Sequence, residues 1–153
     1  DEQAKGLAQI ASYIKTAGAV PGIQIGHAGR KASANKPWEG DNHIAEDDPN
    51  SWQPIGPSSI AFGGGILPRE PKEMTIEDIE RVKADFVAAA QRALDAGFEW
   101  LELHYGHGYL ASSFFSPHNE GGQKCTQRRS QSRIACWQIC GHICRNILQQ
   151  KIN

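Results

Sequence analysis

Long apolar runs are missing from this chain of 153 residues. None approaches the roughly 20 residues that a membrane-spanning helix requires, so no membrane partner is expected. The N-terminal Asp1-Glu2-Gln3-Ala4-Lys5 lacks the basic start and apolar stretch of a secretory signal, which makes a cytoplasmic setting the expectation. Metal signatures are missing too. There is no His-Glu-x-x-His and no Cys-x-x-Cys, and the pair His104 and His107 would need at least a third ligand to hold zinc. The run Gly63-Gly64-Gly65 continues as Ile66-Leu67-Pro68 and not as Gly-Lys-Ser/Thr, so it is read as a flexible turn and not as a phosphate cradle. No metal site is expected.

Two further absences divide the chain. Residues 1–120 contain no cysteine, and carry 10 Lys+Arg against 17 Asp+Glu. Residues 121–153 contain no acid; they hold 6 Lys+Arg and all four cysteines, Cys125, Cys136, Cys140 and Cys144. A net charge of −1 therefore conceals an acidic part followed by a basic one. Hydrophobic content of 39% and charged content of 22% suit one ordinary globular domain. The basic part could touch nucleic acid by charge alone, but it has no recognition motif or interleaved aromatics, and no nucleic-acid partner is expected. Its Cys-x-x-x-Cys-x-x-x-Cys spacing suits one face of a helix better than a zinc knuckle or an iron–sulfur run.

What is present is a β/α alternation. Leu7, Ile10, Ala11 and Ile14 recur at helical spacing over residues 3–16, and Gly18 suits the left-handed position beyond the end. A strand, Ile23-Gln24-Ile25-Gly26-His27, follows the Pro21-Gly22 turn. Residues 28–72 are rich in Gly, Pro, Ser and Asn, and a loop of that length is either functional or wrongly assigned. The second helix opens at Thr75, with Asp78 completing a partial capping box. Ile79, Val82, Phe86, Ala90, Ala93 and Leu94 form its apolar stripe, and Gly97 ends it. Residues 98–103 read as the next strand. The order is that of consecutive units on a parallel sheet, whose strands need neighbours on both sides. Beyond Glu120 only one marginal helix is expected, over residues 136–148, with residues 121–133 exposed and disordered.

Chemistry concentrates in Leu103-His104-Tyr105-Gly106-His107-Gly108-Tyr109-Leu110, at the carboxyl end of a strand, where α/β barrels and open sheets place their sites. Imidazoles can hydrogen-bond a substrate oxygen, and a phenol can deliver a proton. Gln24, alone among apolar neighbours in its strand, needs a partner: either a core group or a polar heterocycle. Arg30-Lys31 reads as a solvated basic pair or as a counter-charge to an anionic ligand.

Gly22-Ile23-Gln24-Ile25-Gly26-His27-Ala28-Gly29-Arg30-Lys31-Ala32-Ser33, Met74-Thr75 opening a helix, and His104-x-x-His107-Gly108-Tyr109-Leu110 with Phe115-Ser116-Pro117 together resemble the Old Yellow Enzyme family. The likeness is greatest to its NADPH dehydrogenase branch of FMN-dependent ene reductases, and it covers about residues 1–120. It implies an α/β fold, part of a (β/α)8 barrel around strands three and four, within a larger enzyme. It implies FMN as cofactor, NADPH or NADH as reductant, and an activated alkene or quinone-like small molecule as substrate. By the same resemblance Gln24 meets the flavin pyrimidine ring, His104 and His107 hold the substrate's electron-withdrawing oxygen, Tyr109 donates the proton, and Lys31 lies near the substrate mouth.

The resemblance stops after Asn119-Glu120. The expectation is therefore two segments, 1–120 from the oxidoreductase and 121–153 of different origin, such as a shifted reading frame or unspliced sequence. Two rival readings accompany it: a gene product without catalysis of its own, and a small binding module that uses the Cys-bearing tail.

Overall fold

The protein's structure is a computed structural model that describes residues 2–40, 42–63, 67–116 and Gly141. Its elements run α1 (Glu2–Thr16), β1 (Gly22–Ile25), β2 (Ile55–Gly56), β3 (Lys72–Glu73), α2 (Ile76–Asp95), β4 (Trp100–Leu103) and α3 (Leu110–Phe115). The described residues divide into two compact units. One holds residues 2–26 and 80–104, the other residues 27–79 and 105–116.

In the first unit both helices end as their glycines predict. Gly18 has φ 79°; its N–H donates to Lys15 O at 2.9 Å, and the Ala19 N–H donates to Ile14 O at 3.1 Å. Gly97, with φ 94°, repeats the motif: its N–H donates to Leu94 O and the Phe98 N–H to Ala93 O. This doubly bonded ending satisfies carbonyls that the last turn leaves open, and it requires the left-handed residue that glycine supplies at least cost. Phe98, just past the end, packs with Ala93, Ala96 and Ala11 in the core of this unit, flanked by Leu7, Ala8, Ile23 and Leu101. Three alanines at its centre let the backbones come close. Ile10 belongs to the α1 repeat yet is exposed, so the repeat marks the helix better than its buried face.

β1 and β4 pair in parallel, with Gly22 opposite Trp100, Ile23 opposite Leu101, Gln24 opposite Glu102 and Ile25 opposite Leu103. Strand alternation splits them into two faces. Ile23 and Leu101 turn to the core, while Gly22, Gln24, Trp100 and Glu102 are exposed. Both strands are shorter than expected, and the sheet has two strands, so there is no closed barrel among the described residues.

The second unit gives the 28–72 stretch an internal order that its composition conceals. Two 3-10 turns, Gly29–Lys31 and Pro37–Glu39, precede the two-rung parallel ladder of β2 and β3. Arg69 organises the stretch from within. Its guanidinium donates to Ile44 O at 2.6 Å, Trp52 O at 3.1 Å and Ser51 Oγ at 3.1 Å, and its backbone N–H donates to His43 Nδ1 at 3.1 Å. Leu67, Met74, Leu110 and Ala111 supply buried apolar groups, with Pro54 and Pro71 fully enclosed. The capping box at the start of α2 forms in both directions: Asp78 N–H to Thr75 Oγ1 at 3.1 Å, and Thr75 N–H to the Asp78 carboxylate at 3.2 Å. Along α2 the expected stripe is buried at Ile79, Val82, Phe86, Ala90 and Ala93, and partly at Leu94.

No helix among the described residues is long and apolar enough to cross a membrane. The disorder expected over 121–133, the cysteine ladder and all of the tail helix except Gly141, which is helical, lie outside the described residues.

Candidate active site

In the first unit the site residues stand on the open sheet face. Gln24 is exposed here, which sets aside the core alternative for its partner: with two strands in the sheet, nothing described covers this face. Its partner is Glu102, a residue the motifs did not single out. Gln24 Nε2 donates to Glu102 Oε1 at 2.8 Å, straight across the strand pair. His104 follows β4, held by its N–H to Ile25 O at 2.9 Å. The glycines of β1 make room for the side chains of β4. A Cβ on Gly26 would lie 3.1 Å from His104 Cβ, and one on Gly22 would lie 3.4 Å from Trp100 Cβ. Trp100 and His104 thus lean across β1 on either side of the Gln24–Glu102 pair.

This donor set suits the edge of a flavin. Glu102 accepts one amide N–H of Gln24, and the carboxamide keeps a carbonyl acceptor and a second N–H. A pyrimidine ring with an N–H beside a carbonyl matches that pair.

In the second unit Lys31, His107 and Tyr109 come together. Lys31 Nζ donates to the His107 carbonyl at 3.1 Å, and lies 4.3 Å from the Phe62 ring centroid and 5.0 Å from that of Tyr109. An ammonium between two aromatic faces and a carbonyl is held by hydrogen bonding and by attraction to both rings. His107 and Gly108 both adopt left-handed backbone, φ 57° and 70°, which folds the loop tightly. The His107 and Tyr109 rings meet edge to face, 6.4 Å apart and inclined at 71°. Phe62, which no sequence motif singled out, forms the floor of this cluster: a Cβ on Gly108 would sit 3.0 Å from it.

Arg30 corrects the reading of a solvated pair. It is 7% exposed, with Nη1 on Ile60 O and Ala61 O and its guanidinium 5.5 Å from the Phe62 centroid. Burial lowers its pKa from the ordinary value, and Nε has no hydrogen-bond partner among the described residues. Attraction to the Phe62 face offsets part of that penalty. Lys31 carries the exposed charge of the pair.

Tyr109 is seated through its neighbour. The Leu110 N–H donates to His27 O at 2.9 Å, and Gly29, at φ 62°, lies so close that a Cβ there would be 2.8 Å from Leu110 Cα. Among the described residues no group of three or more His, Cys, Asp or Glu could hold a metal ion.

The profile of the NADH:flavin oxidoreductase / NADH oxidase family matches residues 1–128. An NADH:flavin oxidoreductase of Gibberella zeae is 44% identical over 119 residues, which is 76% of this chain and 29% of that protein. An NADPH dehydrogenase of a Geobacillus species is 43% identical over 117 residues, with the same coverage of each. Among solved structures, the Old Yellow Enzyme from a Pichia species superposes with a TM-score of 0.68 at 24% identity, covering 91% of this chain and 36% of that one. Morphinone reductase in complex with tetrahydroNAD superposes with a TM-score of 0.70 at 21% identity, covering 94% and 41%. These superpositions show the fold. The chain spans about three-tenths of the length of the curated relatives it matches.

Proposed function

This chain belongs to the NADH:flavin oxidoreductase / NADH oxidase family, and we propose that its residues 1–120 form part of the active site of an FMN-dependent NADPH dehydrogenase that reduces activated alkenes or quinone-like compounds. In this reading β1 and β4 are the third and fourth strands of a (β/α)8 barrel, and residues 121–153 form a separate, basic segment. The observation that carries the proposal is the Lys31–His107–Tyr109 cluster, whose loop follows β4 in the sequence, in a chain whose residues 1–128 match the family profile.

FMN, when bound, would supply the hydride chemistry, with NADPH or NADH as reductant. The protein does the rest. Gln24 would hold the flavin by its pyrimidine edge. His104 and His107 donate hydrogen bonds to the substrate's electron-withdrawing oxygen and favour the charge that develops there. Tyr109 passes its phenolic proton to the α-carbon. Lys31 holds the His107 carbonyl, and with it the loop that carries both His107 and Tyr109.

The test is a chimaera in which residues 1–116 replace the matching segment of the Geobacillus NADPH dehydrogenase. It should bind FMN and reduce 2-cyclohexen-1-one with NADPH. Tyr109→Phe should leave flavin reduction nearly unchanged and slow the alkene half-reaction by about 10²-fold or more, the usual contribution of a placed general acid. Equal slowing of both half-reactions would remove Tyr109 from that role.

A further inference from the structure

We propose that Glu102 is a positioning residue for Gln24: it fixes the sense of the carboxamide, so that an incoming heterocycle meets the carbonyl oxygen and one N–H in a set order. The inference rests on the reading of Gln24 as the group that meets the flavin.

A carboxylate can only accept hydrogen bonds, so the atom of Gln24 lying 2.8 Å from Glu102 Oε1 must be the amide nitrogen. Turning the carboxamide over would set two acceptors at that distance, which loses a charge-assisted bond and adds repulsion. The two residues are direct register partners on a parallel pair, so neither side chain has to stretch to reach the other. Trp100 leaning over Gly22 and His104 leaning over Gly26 close the pair in along the strand. A lone exposed glutamine samples both amide orientations, and only one of them matches a given ring edge. Glu102 selects it in advance. The device therefore favours a planar ring that presents an N–H next to a carbonyl, and rejects one alkylated at that nitrogen. Covering the face with ligand strengthens the bond, because exclusion of water lowers the local dielectric.

The experiment uses the full chain labelled with ¹⁵N. In the wild type, one of the two Gln24 side-chain amide protons should be shifted downfield and exchange several-fold more slowly than the other. Gln24→Ala assigns the resonances. Glu102→Ala should bring both protons to the position of a free glutamine, and Glu102→Gln should leave a reduced shift. Gln24 resonances unchanged in both Glu102 variants would overturn the proposal. A parallel FMN titration by fluorescence quenching, run on the chimaera that carries residues 1–116, tests the consequence. Glu102→Ala should weaken FMN binding about tenfold, the scale of one charge-assisted hydrogen bond. It should weaken it no further once Gln24 is already alanine, and additive losses would overturn the coupling. A chimaera that shows the shifted proton yet binds FMN equally well with Gln24→Ala would count against Gln24 as a flavin contact while the Glu102 lock stands.

Discussion

Gly29→Ala should be among the most damaging single-methyl additions to this chain. The residue has φ 62°, a region where an alanine costs about 1 kcal/mol or more. The added Cβ would lie 2.8 Å from Leu110 Cα and 2.9 Å from Leu110 N. Both are backbone atoms and cannot swing aside, so the 27–29 turn and the start of α3 must separate by over half an ångström. That breaks the 2.9 Å bond from the Leu110 N–H to His27 O and loosens Leu110, which is 2% exposed. A buried donor left unsatisfied adds about 1–3 kcal/mol. The expected total is about 3–5 kcal/mol. Two other glycines calibrate it. Gly18 has φ 79° with nothing within 4 Å of a new Cβ, so Gly18→Ala should cost about 1 kcal/mol. Gly6 lies inside α1 with open space around it, so Gly6→Ala should stabilise by about 0.5–1 kcal/mol. Urea unfolding followed by circular dichroism gives the order, and hydrogen exchange at the Leu110 amide locates the effect, with protection falling by about 10²-fold or more. A Gly29→Ala variant as stable as Gly18→Ala, with Leu110 still protected, would refute the close approach and with it the account of how Tyr109 is seated.

Arg69→Met should destabilise by about 1–3 kcal/mol, because it removes the guanidinium from the Ile44 carbonyl, which keeps only the 3.4 Å bond from Ser51 Oγ, and from the Trp52 carbonyl; a loss below about 1 kcal/mol in a urea melt would show that water replaces the guanidinium freely. His43 should make stability depend on pH. Burial, opposed by a bond to the Arg30 carbonyl and aided by the charge of Arg69, holds its pKa below the ordinary 6.5. The unfolded chain then takes up the proton more readily than the folded one, so this contribution is complete above about pH 6.5 and is lost as pH falls through the folded value. Protonation would also remove the acceptor for the Arg69 N–H. His43→Asn should flatten the fall in urea midpoint between pH 7 and 5; an unchanged slope would assign it to other groups.

α1 and α2 were legible because their signals are local, whereas the short α3, with no side-chain cap, was not expected from the sequence. Thr75 and Asp78 close a capping box three residues apart, and Gly18 and Gly97 stand where a left-handed residue must. The proposed site loop stands out in the sequence for a related reason: His104, His107 and Tyr109 lie within six residues of one another. What escaped was held by partners far along the chain or by backbone. Arg69 binds mostly carbonyls and hydroxyls of residues 33–52, and such contacts leave no spacing to detect. The charge of Arg30 suggests either a solvated group or a counter-charge to an anion, and neither signals the Phe62 face and two carbonyls that make its burial tolerable. Glu102 is the instructive case, because a signal did exist. Gln24 and Glu102 are each a polar residue between two apolar ones in a strand, and each occupies the alternate position that faces away from the helices. In a parallel pair read as both faces buried, one such residue is an oddity. Two of them, on neighbouring strands at the same height, already point to each other, as their register and 2.8 Å hydrogen bond bear out.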